Sequence, residues 1–208
     1  MRTKLYIVGA GSVGGHIAWN INSYGNHYEI SGFFDDAPEK IGKEIFGHKV
    51  LGPVSDLLNI SDAAVVFGIA FPKIKRQIVE KLSANDTLIF PPLVHEKAWV
   101  SKNVSIGNGS VIYPGTSINY GSLIGDFVVL NMNCALGHHT KVGDYSSFAP
   151  GVNTGGHTSI GEAVDMGIGS STIQNIKIGD RSIVGGQSMV VQDIKSDKTV
   201  MGIPAKSK

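Results

Sequence analysis

Cysteine is nearly absent from this 208-residue chain, in which Cys134 is the single thiol. An internal disulfide is therefore excluded, and a lone thiol is typical of a reducing compartment. Basic residues show no excess, with 18 Lys and Arg against 17 Asp and Glu, so no nucleic-acid-binding patch is indicated. Apolar runs such as AAVVFGIAF fall far short of the roughly 20 residues that a membrane span needs. The start MRTKLYIVGAG lacks the pattern of a signal peptide, so we expect a cytoplasmic protein with no membrane or nucleic-acid partner.

Residues 1–92 alternate between short apolar runs and stretches with helical spacing. The runs KLYIVGA, YEISGFFDD, SDAAVVFGIA and DTLIFPPLV predict strands, and GSVGGHIAWNINSYG and PKIKRQIVEKLSAN predict helices. Strands that alternate with helices form parallel sheets through right-handed crossovers. We therefore predict an α/β, Rossmann-like domain with a small parallel sheet over residues 1–92.

Glycine is abundant, with 27 residues, and a new period begins at Val94. From Val94 to Val190, seventeen positions lie six residues apart, and fifteen of them carry a large apolar residue. Nine of the seventeen residues that directly follow are Gly, and the residue four places on is always small or β-branched, Cys134 included. Neither an α-helix nor a flat strand repeats every six residues, whereas a parallel β-helix turns a corner at that spacing. Residues 93–208 are therefore predicted to form an all-β parallel β-helix, in which residues three hexads apart stack.

The hexad repeat, with YIVGAGSVGG and GFFDDAP before it and VMGIPAK after it, resembles the hexapeptide-repeat sugar O- and N-acetyltransferases of bacterial surface polysaccharide synthesis. That family includes sialic-acid O-acetyltransferases and the enzymes that N-acetylate nucleotide-linked 4-amino-4,6-dideoxy sugars. The resemblance implies a left-handed β-helix and acetyl-CoA as co-substrate. It also implies a homotrimer with active sites between subunits.

The segment GAGSVG follows a predicted strand and opens a predicted helix, which is the context in which a glycine-rich loop binds phosphate. An acid at the end of the next strand can accept a ribose hydroxyl. A nicotinamide dehydrogenase is rejected, because the N-terminal region is too short for both halves of a dinucleotide site. Half a site suits a mononucleotide such as a UDP-sugar, and a loop that only packs a helix on a strand is the alternative. This pattern points to Gly9, Gly11, Gly14 and Asp35 as the nucleotide-sugar site. The resemblance implies the same site, with Ser12 near the phosphates and Asp36 beside Asp35 near the nucleoside.

Acetyl transfer from a thioester requires a base, a donor to the oxyanion and a groove for coenzyme A. His138 falls on an outward corner of the predicted β-helix, and a neutral imidazole suits the task of a base near pH 7. The resemblance assigns this role to His138 and oxyanion support to the N–H of Gly156, with an exposed surface histidine as the alternative. It also implies that coenzyme A contacts Gly156, Ile168 and Gly186, with Lys206 near a coenzyme phosphate.

The neighbour of the predicted base departs from the family pattern. The family usually places an acid directly after the base histidine, and this chain has His139 there, so the catalytic pair is altered or another group orients His138. Because residues three hexads apart stack, His139 is expected beside His157. Three clustered histidines can bind zinc, so a zinc site is the rival hypothesis for this corner. Adjacent histidines on a turn diverge and no carboxylate is evident beside them, so no metal is expected.

The sequence predicts an acetyl-CoA-dependent N-acetyltransferase that acts on the amino group of a nucleotide-activated amino-deoxy sugar. The acetyl group is expected to pass directly from the thioester to the amine, because no Cys or Ser is placed with the partner residues that a catalytic nucleophile needs. O-acetylation of a sugar hydroxyl and a non-catalytic nucleotide-sugar-binding module are the alternatives.

Overall fold

A computed structural model describes residues 3–25 and 27–207. Internal contacts divide the chain into two compact units, Met1–Leu93 and Val94–Lys208. We call them the N-terminal unit and the C-terminal unit. Neither helix in the described part of the chain is long and apolar enough to cross a membrane.

The N-terminal unit is built on a five-stranded sheet with the strand order β3-β4-β2-β1-β5. Its strands are β1 (Thr3–Val8), β2 (Tyr28–Phe34), β3 (Glu44–Ile45), β4 (His48–Gly52) and β5 (Ala64–Phe67). Its helices are α1 (Ser12–Asn20) and α2 (Pro72–Leu82), with short 3-10 turns at Ile21–Tyr24, Pro38–Lys40 and Val54–Asn59. Strand β1 pairs in parallel with β2 and β5, as the sequence predicts. Strand β2 also pairs in parallel with β4, a strand that was not predicted. The antiparallel β3–β4 hairpin was not predicted.

Local sequence explains where these elements begin and end. Helix α2 starts with Pro72 at its first position, where the missing N–H costs no hydrogen bond. The prediction of a strand over DTLIFPPLV was wrong for most of the segment. Only Ile89 bonds to the sheet, donating to Ala63 O at 2.9 Å and accepting from Val65 N at 2.8 Å. The two prolines that follow Phe90 carry no N–H donor, so the ladder ends there.

The C-terminal unit forms a parallel β-helix. Seventeen two-residue strands, counted over the described residues, each end on a predicted hexad position, and strands three apart pair in parallel. A final antiparallel pair, β23 (Thr199–Met201) and β24 (Lys206–Ser207), closes the end of one sheet. The seventeen strands are β6 (Leu93–Val94), β7 (Trp99–Val100), β8 (Ser105–Ile106), β9 (Val111–Ile112), β10 (Ser117–Ile118), β11 (Leu123–Ile124), β12 (Val129–Leu130), β13 (Ala135–Leu136), β14 (Lys141–Val142), β15 (Ser147–Phe148), β16 (Asn153–Thr154), β17 (Ser159–Ile160), β18 (Asp165–Met166), β19 (Ser171–Thr172), β20 (Lys177–Ile178), β21 (Ile183–Val184) and β22 (Met189–Val190).

The interior of the β-helix explains the apolar position and the small position that recur in each hexad. The apolar position is buried in a continuous core, and each fully buried Ile or Leu contributes about 1.5–3 kcal/mol. The small position places a hydroxyl where it satisfies backbone groups of the next coil. Ser146 Oγ, for example, donates to Gly161 O at 2.8 Å and accepts from Val164 N at 3.0 Å. Cys134 takes the same place and is fully buried.

One corner of the β-helix repeats a left-handed backbone conformation in coil after coil. At this corner the N–H groups of His139, His157 and Asn175 donate to carbonyl oxygens of the preceding coil, so side chains there stack in a column along the outside. The φ angles are 62°, 69°, 57°, 57° and 60° at Asn103, Gly121, His139, His157 and Asn175.

Candidate functional site

His138 is half-buried on the turn between β13 and β14, beside that left-handed corner. Its ring stacks on the ring of Tyr120 from the preceding coil, with centroids 5.4 Å apart and planes 13° apart. On its other side lies Gly156 of the following coil, where an added Cβ would be 2.8 Å from Nε2 of His138. The imidazole therefore occupies a slot that exists because residue 156 has no side chain.

His139 lies perpendicular to His138 and bonds to it. The two Nδ1 atoms are 3.1 Å apart, and the ring planes are 88° apart. The N–H of His139 donates to Tyr120 O at 2.9 Å, which fixes the turn. Adjacent histidines on this turn therefore do not diverge, contrary to the sequence argument.

His157 completes a cluster of three imidazoles whose ring nitrogens lie within 4.8 Å of one another. Its ring is parallel to that of His139, with centroids 4.8 Å and planes 6° apart, and perpendicular to that of His138. The lone pair of an imidazole nitrogen lies in the ring plane, so two parallel stacked rings cannot aim at one ion about 2.0–2.1 Å from both. Within the described residues no carboxylate bonds to any of the three. The arrangement favours a hydrogen-bonded imidazole pair over a tridentate metal site.

Two further groups limit the chemistry of this corner. Gly156 N–H donates to no acceptor among the described residues, so it remains available to a ligand. Cys134 does not supply a nucleophile, because burial raises the pKa of its thiol to about 11 and its Sγ donates to Ala149 O at 3.4 Å.

A cleft of about 370 Å³ opens in the N-terminal unit at the glycine-rich loop, at the carboxyl ends of β1, β2 and β5. Ligands bind at this edge in open α/β sheets. Five of the six predicted nucleotide-sugar residues line it, together with an apolar wall that the sequence reading missed. The lining residues are Gly9, Gly11, Ser12, Val13, Asp35, Asp36, Lys40, Val54, Gly68, Ile69, Ala70, Phe71, Ile74 and Ile78.

Gly14, the sixth predicted residue, is buried beneath the loop. An added Cβ would collide with the carbonyl oxygen of Gly9, and a Cβ on Gly68 would lie 2.5 Å from the Cα of Gly14. Gly14 therefore allows α1 to pack closely against the ends of β1 and β5, as the third glycine of such a loop commonly does.

Asp35 braces the glycine-rich loop. Its Oδ2 accepts from Ala10 N and from Lys40 Nζ, both at 2.8 Å, and its Oδ1 accepts from Ala37 N at 2.9 Å. Burial acts to raise the pKa of this carboxyl, but the bonds from Lys40, Ala37 and Ala10 and the charge of Lys40 outweigh it, so the pKa lies below its usual value. Asp36 is exposed and accepts one bond, from Val54 N at 2.8 Å. Asp36 thus keeps more acceptor capacity for a ligand than Asp35.

Sequence reasoning missed Lys40 and assigned no role to Tyr120. The 3-10 turn Pro38–Lys40 brings the ammonium of Lys40 to Asp35. A single turn of this kind has no hydrophobic periodicity in the sequence, so Lys40 was not identified. Tyr120 lies three hexads before His138, so the spacing places it in the same column, and the structure shows the stacking of the two rings.

Of the residues predicted for coenzyme A, Gly156 lies beside His138, and the other three fall into two further places. Ile168 is 61% exposed, and Gly186 lies directly over it, because a Cβ on Gly186 would be 3.2 Å from Ile168 O. Lys206 is exposed in β24 and pairs with Met201.

Comparison with known proteins supplies the family. Residues 4–82 match the family model described as the PglD N-terminal domain. No curated protein sequence gives a significant match. The acetyltransferase domain of PglB from Neisseria gonorrhoeae FA1090 is 30% identical over 100% of both chains, with a TM-score of 0.92. It has also been solved in complex with acetyl coenzyme A.

Two further solved structures share the fold. PerB from Caulobacter crescentus, in complex with CoA and GDP-perosamine, has a TM-score of 0.90 at 24% identity and covers 99% of this chain and 97% of its own. WeeI from Acinetobacter baumannii AYE has a TM-score of 0.88 at 24% identity and covers 99% of this chain and 100% of its own. The predicted fold, a Rossmann-like α/β domain followed by a left-handed parallel β-helix, is confirmed. The chain belongs to the hexapeptide-repeat sugar acetyltransferase family and is an acetyltransferase.

Proposed function

We propose that this enzyme transfers an acetyl group from acetyl-CoA to the amino group of a nucleotide-linked amino-deoxy sugar used in bacterial surface glycan synthesis. The observation that carries the proposal is the position of His138, whose Nε2 lies against Gly156 at an exposed corner of the β-helix. The relatives support the two substrates, since the Neisseria domain has been solved with acetyl coenzyme A and PerB with CoA and GDP-perosamine.

In the proposed reaction His138 Nε2 is the base. The amine nitrogen attacks the acetyl carbonyl carbon, and the proton that this nitrogen loses moves to Nε2. The N–H of Gly156 donates to the oxygen that becomes negative in the tetrahedral intermediate. That intermediate collapses as the C–S bond breaks, and the imidazolium returns its proton to the leaving thiolate. The products are the N-acetyl sugar and coenzyme A, and the chemistry requires no metal.

We assign nucleotide binding to the N-terminal domain, residues 1–92. The cleft combines loop N–H groups at the start of α1, which suit phosphate, with an apolar wall that suits a base. Asp36 has a free acceptor position for a nucleoside hydroxyl or base N–H, and Lys40 brings a cation to the same cleft. Asp35 acts by holding the loop and Lys40 in place.

We assign acetyl transfer and coenzyme binding to the β-helix domain, residues 93–208. In this proposal coenzyme A contacts Gly156 and also Ile168 and Gly186, which lie exposed on adjacent coils. Lys206 meets a coenzyme phosphate. The proposed assembly is a homotrimer with the coenzyme between neighbouring β-helices. A cytoplasmic location fits both the dependence on acetyl-CoA and the single reduced thiol.

Turnover with defined acceptors tests this function. Thiol release from acetyl-CoA would be followed with UDP-, GDP- and dTDP-linked 4-amino-4,6-dideoxy sugars, each beside the analogue with a hydroxyl in place of the amine. We expect turnover with an amino sugar, one acetyl group gained by mass spectrometry, and loss of turnover in His138→Ala. Acetylation of the hydroxyl analogue alone would instead establish an O-acetyltransferase. Thermal shifts with UDP, GDP and dTDP, with and without coenzyme A, identify the nucleotide.

A further inference from the structure

The Nδ1 atom of His138 has a single hydrogen-bond partner among the described residues, and this partner is the Nδ1 atom of His139, 3.1 Å away. Tyr120 covers one face of the His138 ring by stacking, and Gly156 approaches the ring most closely at Nε2, Cε1 and Cδ2, so neither bonds to Nδ1. The tautomer of His138 is therefore decided by its contact with His139.

Two neutral imidazoles can form this N···N bond only when one nitrogen carries the proton and the other accepts it. We propose that His139 is a positioning residue: as a neutral acceptor, it holds the proton of His138 on Nδ1 and leaves Nε2 free to act as the base. This inference rests on the proposed function, in which Nε2 of His138 receives the proton of the substrate amine.

The bond becomes stronger as the reaction proceeds. When Nε2 takes the proton, His138 becomes an imidazolium, and its Nδ1–H then donates to His139 from a charged group. A contact that strengthens as charge develops lowers the barrier, because it stabilises the transition state more than the ground state. His139 therefore performs with a neutral ring what an acid beside a base histidine performs with a negative charge.

His139 is itself held in place. Its N–H donates to Tyr120 O, its ring stacks on His157, and Gly121 lies against the ring, where an added Cβ would be 2.8 Å from Cδ2 and 2.9 Å from Nε2 of His139. The titratable groups packed around it are His138, His157 and Tyr120, and within residues 3–25 and 27–207 no ion pair reaches any of the four. Protonation of His139 at Nδ1 would convert the acceptor into a donor and force the proton of His138 onto Nε2, which removes the base.

Three substitutions of His139 distinguish a role in positioning His138 from a role in packing alone. His139→Gly removes the acceptor without backbone strain, because φ is 57° there and Gly121 occupies the same place one coil earlier. His139→Asn puts an amide oxygen near the position of Nδ1 and tolerates the same φ. His139→Asp puts a carboxylate there. Asn175→Gly, at the same corner with a φ of 60°, is the matched control.

The measurements are kcat, KM and the pH profile of kcat for turnover of acetyl-CoA with the amino-sugar acceptor. We expect His139→Gly to lose about ten- to hundred-fold in kcat with both KM values within about twofold, as for other orienting partners of histidine. His139→Asn should recover most of the loss. His139→Asp should recover it and move the acidic limb of the profile to higher pH, because a carboxylate stabilises the imidazolium. Asn175→Gly should match the parent.

Other results overturn the inference. Parental kcat in His139→Gly, or an unmoved acidic limb in His139→Asp, would show that His139 only fills space. His138→Ala distinguishes this failure from failure of the proposed function. If His138→Ala turns over like the parent, the base assignment itself is wrong. If only His138→Ala loses turnover, the base stands and the role of His139 is refuted.

Discussion

The slot that holds His138 can be closed with one methyl group. In Gly156→Ala the new Cβ would lie 2.8 Å from Nε2 and 2.9 Å from Cε1, whereas ordinary contact begins at 3.4 Å. The ring must therefore retreat by about 0.6 Å. A misplacement of about 1 Å at a reacting group can lower a rate by about 10²-fold. We expect kcat to fall by about ten- to hundred-fold, or about 1.4–2.7 kcal/mol in the barrier.

The fold should survive this change, because the backbone of Gly156 lies outside the left-handed region and the displaced ring is half-buried. Turnover of parent, Gly156→Ala, His138→Ala and the double variant forms a thermodynamic cycle. If alanine acts through His138, it should add little to the loss in the His138→Ala background. A fully active Gly156→Ala enzyme, or additive losses in the double variant, would refute the reasoning.

Three further predictions concern other parts of the chain. Cys134 should resist thiol reagents until the protein unfolds, because it is buried with a raised pKa; titration with a chromogenic disulfide, with and without denaturant, checks this. Asp35→Asn should lower the free energy of unfolding by about 1–3 kcal/mol at neutral pH in urea melts and weaken the thermal shift by nucleotide, since the bond to Lys40 loses its charge. Because the folded pKa of Asp35 is lowered, its contribution is present above the unfolded value of about 3.9 and is lost as pH falls through the folded value, so parent and variant should converge in acid. Ile168→Ala should raise the KM for acetyl-CoA several-fold with kcat within about twofold, and an unchanged KM would remove Ile168 from the coenzyme site.

The β-helix was predictable almost residue by residue. Each hexad forms a turn and a short strand, so the period in the sequence is the period of the structure, and every strand from β6 to β22 ends on the expected position. The N-terminal unit was less regular. The β3–β4 hairpin turns at Phe46 and Gly47, which have φ angles of 51° and 75°, and its short strands carry no alternation that would reveal them.

The candidate site was predictable in its column positions and not in its hydrogen bonds. Stacking at 18 residues places His138 against Gly156 and His139 against His157, as the structure has them. The bond between the two Nδ1 atoms depends on how the two imidazole rings are turned about their side-chain bonds, which no spacing specifies. The bracing role of Asp35 likewise depends on the 3-10 turn that returns Lys40 to it.

The central claim is that His138 is the base for acetyl transfer to an amino sugar. The most direct measurement is the rate of thiol release from acetyl-CoA by parent and His138→Ala, at saturating nucleotide-linked amino sugar, with the acetylated product identified by mass. The account predicts an N-acetylated product from the parent and a loss of at least about 10²-fold in kcat for the variant. Parental turnover by His138→Ala would contradict it.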